Sequence, residues 1–203
     1  MTELADASDH QLVTRMLVGD EPAFTTLYRR LQKGIYCFAL QMSGSVTVAE
    51  EVTQEVFLTL IRDPGRYDVT RGPVSAYLYG IARNCVLRSL QTRRPDTSIA
   101  EEESGPEFVM VQDDPLDSLT RKETIEEIRR AVLSLPEHYR EVVVLCDLHE
   151  MDYAEASSVL CCAVGTVRSR LHRARKLLLD KLKLRSVDPA APIPLQYLAR
   201  CTR

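Results

Sequence analysis

Tryptophan is absent from these 203 residues, and glycine occurs only eight times. No apolar run approaches the ~18 residues of a membrane-crossing helix, so no membrane insertion is expected. The scarce glycines make no phosphate-cradling loop, and neither a nucleophile motif nor a metal-ligand cluster occurs. No catalytic residue and no cofactor is therefore assigned, and the chain is not read as an enzyme. Six cysteines stand at 37, 85, 146, 161, 162 and 201, with no CxxC pair and no histidine at zinc-finger spacing. They read as reduced thiols without a metal, the usage of a cytoplasmic protein. The opening MTELADASDH is acidic and polar, which argues against a signal peptide.

What is present is charge, unevenly placed. The formal net charge is only −3. Yet residues 164–185 hold eight Lys or Arg against the single acid Asp180. Residues 94–117 hold eight Asp or Glu against the single cation Arg94. A polyanion-binding piece beside an acidic linker is the expectation.

Strand-like alternation is missing, and long segments repeat apolar residues every three or four positions, so the fold class is all-α. Asp9 is a candidate cap for a short helix ending near Gly19. Asp20, with Pro22 in the first turn, starts a second helix that SGS at 43–45 breaks. Thr47 and Glu50 have capping-box spacing for a third helix, ended by Asp63-Pro64-Gly65. The loop RYDVTRG then leads through Pro73 into a fourth helix reaching about Arg93. Two small helical domains are predicted, 1–93 and 118–185, joined by a flexible linker over 94–117 and followed by a tail, 186–203. The second domain is expected to hold helices at 118–134, 137–148, from Asp152 to Leu160, and 164–184.

On that last helix, Val164, Val167, Leu171, Ala174 and Leu178 follow core spacing. Arg168, His172 and Arg175 make one exposed row; Ser169, Arg173 and Lys176 make the next. A short helix, a three-residue turn and this helix form helix-turn-helix geometry, in which the second helix enters the major groove. Arginine can pair bidentately with guanine, while Ser, Thr and further cations hold phosphates. Thr166, near the helix start, could reach a phosphate. A solvated basic face is the alternative, and the preceding short helix and turn weigh against it.

The stretch LPEHYREVVVLCDLHEMDYAEASSVLCCAVGTVRSRLHRARKLL closely resembles domain 4 of extracytoplasmic-function (group 4) bacterial sigma factors of the sigma-70 family, and GTVRSRLHRAR is its most specific part. The resemblance implies −35 promoter reading. It places Arg168, Ser169, His172 and Arg173 toward bases, and Thr166, Arg170, Arg175 and Lys176 nearer the backbone. AEEVTQEVFLTLIR resembles the helix that docks on the β′ clamp of core RNA polymerase, which implies roles for Glu51, Gln54, Glu55, Phe57 and Leu58; contact with the β flap is implied as well. The residues agree, because Phe57, Leu58 and Ile61 carry apolar surface beyond the core stripe of Val52, Val56 and Leu60. YDVTRGPVSAYLYGIARNCVLRSLQTRR resembles the −10 reading and melting segment. Tyr67, Tyr79, Arg71, Arg83, Asn84 and Arg88 are its candidate groups for holding single-stranded promoter DNA. An anti-sigma partner is implied by the resemblance alone.

The sequence departs from that family at several positions. Tyr77 stands where a Trp is frequent. Cys161 occupies a turn position usually held by Gly, and Ala163 one where a capping Ser is common, which predicts a domain 4 of modest stability. Cys161 and Cys162 read as inert small hydrophobes, with oxidant sensing the alternative. The rival function is a free-standing LuxR-like helix-turn-helix regulator, which would have no use for a polymerase-docking helix.

Overall fold

The computed structural model describes Leu4, residues 6–92 and residues 115–183, with side chains placed from Thr124 onward in the second stretch. The expected linker, save residues 115–117, and the tail at 186–203 lie outside the described residues. From Asp9 onward the described residues form eight α-helices and no strand, which is the all-α architecture the periodicity predicts.

Helix α1, Asp9–Met16, is capped by Ser8 rather than Asp9. Ser8 accepts the Gln11 amide, and the Gln11 side chain accepts the Ser8 amide in return. A hydroxyl one residue earlier meets the orphan amides better, and Asp9 then serves the positive end of the helix from its first turn. Asp20 caps α2, Glu21–Ser43, by accepting the Ala23 amide at 3.1 Å. The helix ends at Gly44, whose φ of 73° is the left-handed conformation a Cβ disfavours. Helix α3, Val46–Arg62, is capped by Ser45, not by the expected Thr47–Glu50 pair, because the chain leaves Gly44 already turned and offers the nearer hydroxyl. Two single 3-10 turns, Pro64–Arg66 and Val69–Arg71, lead to α4, Val74–Thr92.

In the second half, α5 spans Pro115–Leu133 and starts three residues before the expected 118. Proline suits a first helical position, where its missing N–H costs nothing. Helix α6, Glu137–Val143, continues as one π turn over Val144–Leu148. Asp152 caps α7, Tyr153–Leu160, as expected, in a reciprocal pair with Glu155. Helix α8 is Val164–Lys183.

Helices α1–α4 bury Leu27, Phe38, Val56, Leu60, Leu78 and Val86, and α5–α8 bury Ile128, Leu145, Leu148, Leu171 and Leu178. These groups belong to one continuous apolar cluster. The two halves are packed on each other: α2 meets α5 and the π turn, and α4 meets α7.

Cys161 ends α7 at φ 50°, ψ 45°. This is the left-handed position at which a side chain costs about 1 kcal/mol. Cys161→Gly is therefore expected to stabilise the chain by about 1 kcal/mol, read as a higher denaturant midpoint at unchanged slope. An unchanged or lower midpoint would show that the Cys161 side chain compensates its own backbone strain.

Candidate nucleic-acid interface

Helix α8 divides into two faces. Val167, Leu171, Ala174, Leu178 and Leu182 are buried, and Val164 is half-buried. Arg168, Ser169, His172, Arg173, Arg175 and Lys176 are exposed on the opposite side, with Thr166 and Arg170 half-buried at its margins. Arg168 stacks over the Tyr153 ring at 5.4 Å from its centroid. That contact ties the exposed basic row to the start of α7. Among the described residues of this row Arg175 has a carboxylate partner: its Nε and Nη2 donate to Asp147 at 3.1 and 2.5 Å. The bond to Asp147 holds the guanidinium above its ordinary pKa. Arg175 is thereby aimed by the π turn, whereas Arg173 and Lys176 extend from the helix into solvent.

A second surface is a cleft of about 510 Å³ between α4, the loop before it and α7. Tyr67, Arg71, Arg83, Asn84 and Arg88 line it, together with Tyr77. The rings of Tyr67 and Tyr77 stand 5.7 Å apart, and Tyr67 donates its hydroxyl to the Gly72 carbonyl at 3.0 Å. Burial raises the pKa of both phenols, so they remain neutral donors. Paired aromatic rings flanked by arginines can hold an unstacked base. Tyr77 was not among the sequence-assigned cleft residues; its position two before Tyr79 on α4 turns it outward.

Tyr79 is placed differently from the other five. It is only 7% exposed, and its ring packs edge-on against Phe38 at 5.4 Å. The helical period explains this, because Leu78, Tyr79 and Ala82 share the core side of α4. Gly34 on α2 makes the room, since a Cβ there would sit 2.6 Å from the Tyr79 hydroxyl. That hydroxyl lies 2.9 Å from Nδ1 of His149, and Nε2 of His149 lies 3.0 Å from Oε1 of Gln41. With the ring proton on Nε2, His149 donates to Gln41 and accepts from Tyr79, an assignment made from the network. Arg83 lines the cleft yet donates Nε at 2.6 Å to Glu141, which is almost wholly buried.

A third surface is an apolar groove of about 590 Å³ between α2 and α3. Phe24, Tyr28 and Phe57 form its aromatic floor, with Tyr28 and Phe57 edge-on at 4.7 Å. Gln54, Leu58 and the half-exposed Ile61 line it. Of the five residues assigned to polymerase docking, Gln54, Phe57 and Leu58 belong to this groove. Glu55 points instead to the cleft, and Glu51 lines neither. Spacing of four residues puts Glu51 and Glu55 on one strip of α3, which borders the strip of Gln54 and Leu58 at the groove's margin. Phe24, Tyr28 and Ile61 complete the groove, and only the packing of α2 on α3 reveals Phe24 and Tyr28 as its partners.

Among the described residues no helix is long and apolar enough to cross a membrane, and no cluster could hold a metal ion. Burial pushes the Cys85 thiol up and the Cys146 thiol up to about 11.

Two family models match the chain: sigma-70 region 2 over residues 27–95 and sigma-70 region 4 over residues 125–178. The chain is 30% identical over 172 residues to the ECF RNA polymerase sigma factor SigW of Bacillus subtilis, covering 81% of this chain and 91% of that protein. It is 32% identical over 186 residues to the ECF RNA polymerase sigma-E factor of Escherichia coli, covering 87% and 95%. Among solved structures it shares the fold of CnrH in complex with the cytosolic domain of CnrY, with a TM-score of 0.69 and 24% identity over 89% of this chain and all of that one. The sigma factor RpoE of Bartonella quintana, in complex with the anti-sigma factor NepR, gives a TM-score of 0.62 at 22% identity over 80% of this chain and 98% of that one. A region 2 and a region 4 match in one chain, on a fold with an apolar groove in the first half and a basic helix in the second, set it apart from free-standing helix-turn-helix regulators. The chain belongs to the extracytoplasmic-function RNA polymerase sigma factors of the sigma-70 family.

Proposed function

We propose that this sigma factor docks on the β′ clamp of core RNA polymerase through the α2–α3 groove. Gln54, Phe57 and Leu58 are its principal contacts, and Glu51 and Glu55 act at its edge. The cleft of Tyr67, Arg71, Arg83, Asn84 and Arg88 holds the non-template strand of the −10 element. Arg168, Ser169, His172 and Arg173 of α8 read the −35 element, with Thr166, Arg170, Arg175 and Lys176 on its backbone. The chain contributes binding and strand capture, with no bond-making chemistry of its own, and it acts in the cytoplasm. Solved relatives of this fold are bound by CnrY and NepR, which supports an anti-sigma partner for this chain too.

One observation carries the reading. The exposed face of α8 presents a continuous basic row directly opposite a fully buried stripe, behind a capped short helix and a tight turn. In vitro transcription with bacterial core polymerase tests it, on fragments that include the DNA upstream of the chain's own gene. Discrete new transcripts that require this protein are expected. Core polymerase that neither binds the protein nor gains a transcript from it would overturn the reading.

A further inference from the structure

We propose that the corner between α6 and α7, residues 147–153, is a positioning device for −35 readout: Tyr153 backs Arg168 and Asp147 holds Arg175, so that two arginines of α8 are oriented before DNA arrives. This rests on the promoter-reading function above and adds to it two residues that act through others.

The corner is built stiffly. Helix α6 runs into its π turn, closed by the His149 amide on the Val144 carbonyl at 3.0 Å. Single π turns are rare and concentrate at functional sites. The Met151 amide then reaches back to the Leu145 carbonyl at 3.0 Å, and Glu150 takes φ 55°, left-handed for a residue with a side chain. Such strain persists only where the surroundings over-determine it. Leu145 and Leu148 are fully buried, and Asp152 caps α7 by accepting the Ala154 and Glu155 amides, both at 2.8 Å. Asp147 and Tyr153 therefore leave a backbone with little freedom.

Both side chains meet one strip of α8. Arg168 and Arg175 are seven residues apart, two turns and about 10 Å along the helix. The Arg168 guanidinium carbon stands 5.4 Å from the Tyr153 ring centroid, and among the described residues Arg168 has no hydrogen-bond or ion-pair partner. An aromatic ring engages the face of a guanidinium and leaves its N–H fork for the edge of a guanine. Arg175 is gripped by its edge instead. Its Nε and Nη2 go to Asp147, whose side chain is largely buried, while Nη1 is left for a phosphate. The bond to Asp147 and, after it, the nearby Tyr153 phenol hold the Arg175 guanidinium above its ordinary pKa, so Tyr153 stands close to both arginines. Arg173 and Lys176 have no such support among the described residues.

A long side chain loses rotamer freedom when it binds, and one already held loses less. Tyr153 supplies that restraint to Arg168 without occupying a donor. Asp147 supplies it to Arg175 and also offsets its charge, which weakens attraction to every phosphate alike while fixing the direction of the contact.

Holoenzyme of the full chain with core polymerase tests the device, on a mapped promoter with each −35 base pair substituted singly. Tyr153→Leu should reduce the preference for the base read by Arg168 by about 2- to 5-fold, the size of an exposed cation–π contact. Tyr153→Phe should keep that preference, because the ring remains. In an Arg168→Ala background Tyr153→Leu should change nothing further, since the two act as a unit. Tyr153 is exposed, so the unfolding midpoint and core affinity should not move. Asp147→Asn should raise binding to promoter-free DNA and steepen its salt dependence by about 0.9, one charge no longer offset, while promoter preference falls. Equal losses on every −35 substitution, or an equal effect of Tyr153→Leu with and without Arg168, would make Tyr153 a structural residue and overturn the proposal. A folded Asp147→Asn with an unchanged salt slope would overturn it too; if that variant does not fold, the Tyr153 pair decides alone. Wild-type holoenzyme that yields no transcript from any fragment would instead overturn the promoter-reading function, and the device with it.

Discussion

Arg168→Ala and Arg173→Ala are each expected to lower promoter-directed transcription by about 5- to 150-fold, because a bidentate pair with guanine gives ~1–3 kcal/mol of discrimination. Binding to core polymerase should not change, since the groove lies on α2 and α3 and these arginines on α8. Both side chains are exposed, so the fold loses little. Arg168 forfeits its stacking on Tyr153, worth about 0.5–1 kcal/mol at an exposed site. Arg173→Lys separates shape from charge. Lysine keeps a phosphate contact but loses the planar fork, so a base-reading Arg173 should be poorly rescued by it. Full rescue by lysine would move Arg173 from the bases to the backbone. The measurement is transcript yield on a mapped promoter, at several salt concentrations. A base-contact variant loses specificity at one position, whereas a phosphate-contact variant such as Lys176→Ala weakens all promoters alike and lowers the salt slope.

The second large effect belongs to the groove. Leu58→Glu and Ile61→Glu each set a carboxylate where an apolar partner surface must seat. Truncation of a central anchor costs 2 kcal/mol or more, and a buried unpaired charge about 3–5 kcal/mol. Affinity for core polymerase should therefore fall by at least about 30-fold, seen by co-elution or titration against labelled core. Ile61 is half-exposed in the free chain, so its variant should fold normally. Phe57 is less informative. It is 3% exposed and wedged edge-on against Tyr28, so Phe57→Ala would cost about 3–5 kcal/mol of stability and mix unfolding with lost docking. Unchanged core affinity in both Glu variants would exclude the groove as the docking surface.

Arg83 is engaged by Glu141 at 2.6 Å, whereas Arg71 and Arg88 have no part in that ion pair, so the three cleft cations are not equivalent.

The sequence by itself determined the local structure of this protein. The 3.6-residue period sorted Val167, Leu171, Ala174 and Leu178 from Arg168, Arg173 and Lys176, because which side of a helix a residue occupies depends only on its spacing. It also located Asp20, Gly44 and Asp152 at helix ends, since each cap acts within a few residues of itself. Where nearby candidates competed, as with Ser8 and Asp9 or Ser45 and Thr47, a shift of one or two residues in where the chain turns chose between them. The strain at Cys161 was legible through the family resemblance, which puts a glycine at that turn position. Tertiary structure alone decided what depends on distant segments. The burial of Tyr79 needed Gly34 and Phe38 from α2, and its hydrogen bond needed His149, seventy residues away in the chain. Phe24 and Tyr28 joined the apolar groove only when α2 laid them beside Phe57. The Arg83–Glu141 pair joins two helices that carry no pattern linking them in sequence. Side-chain spacing reports a single helix, and it is silent about which other helix that face will meet.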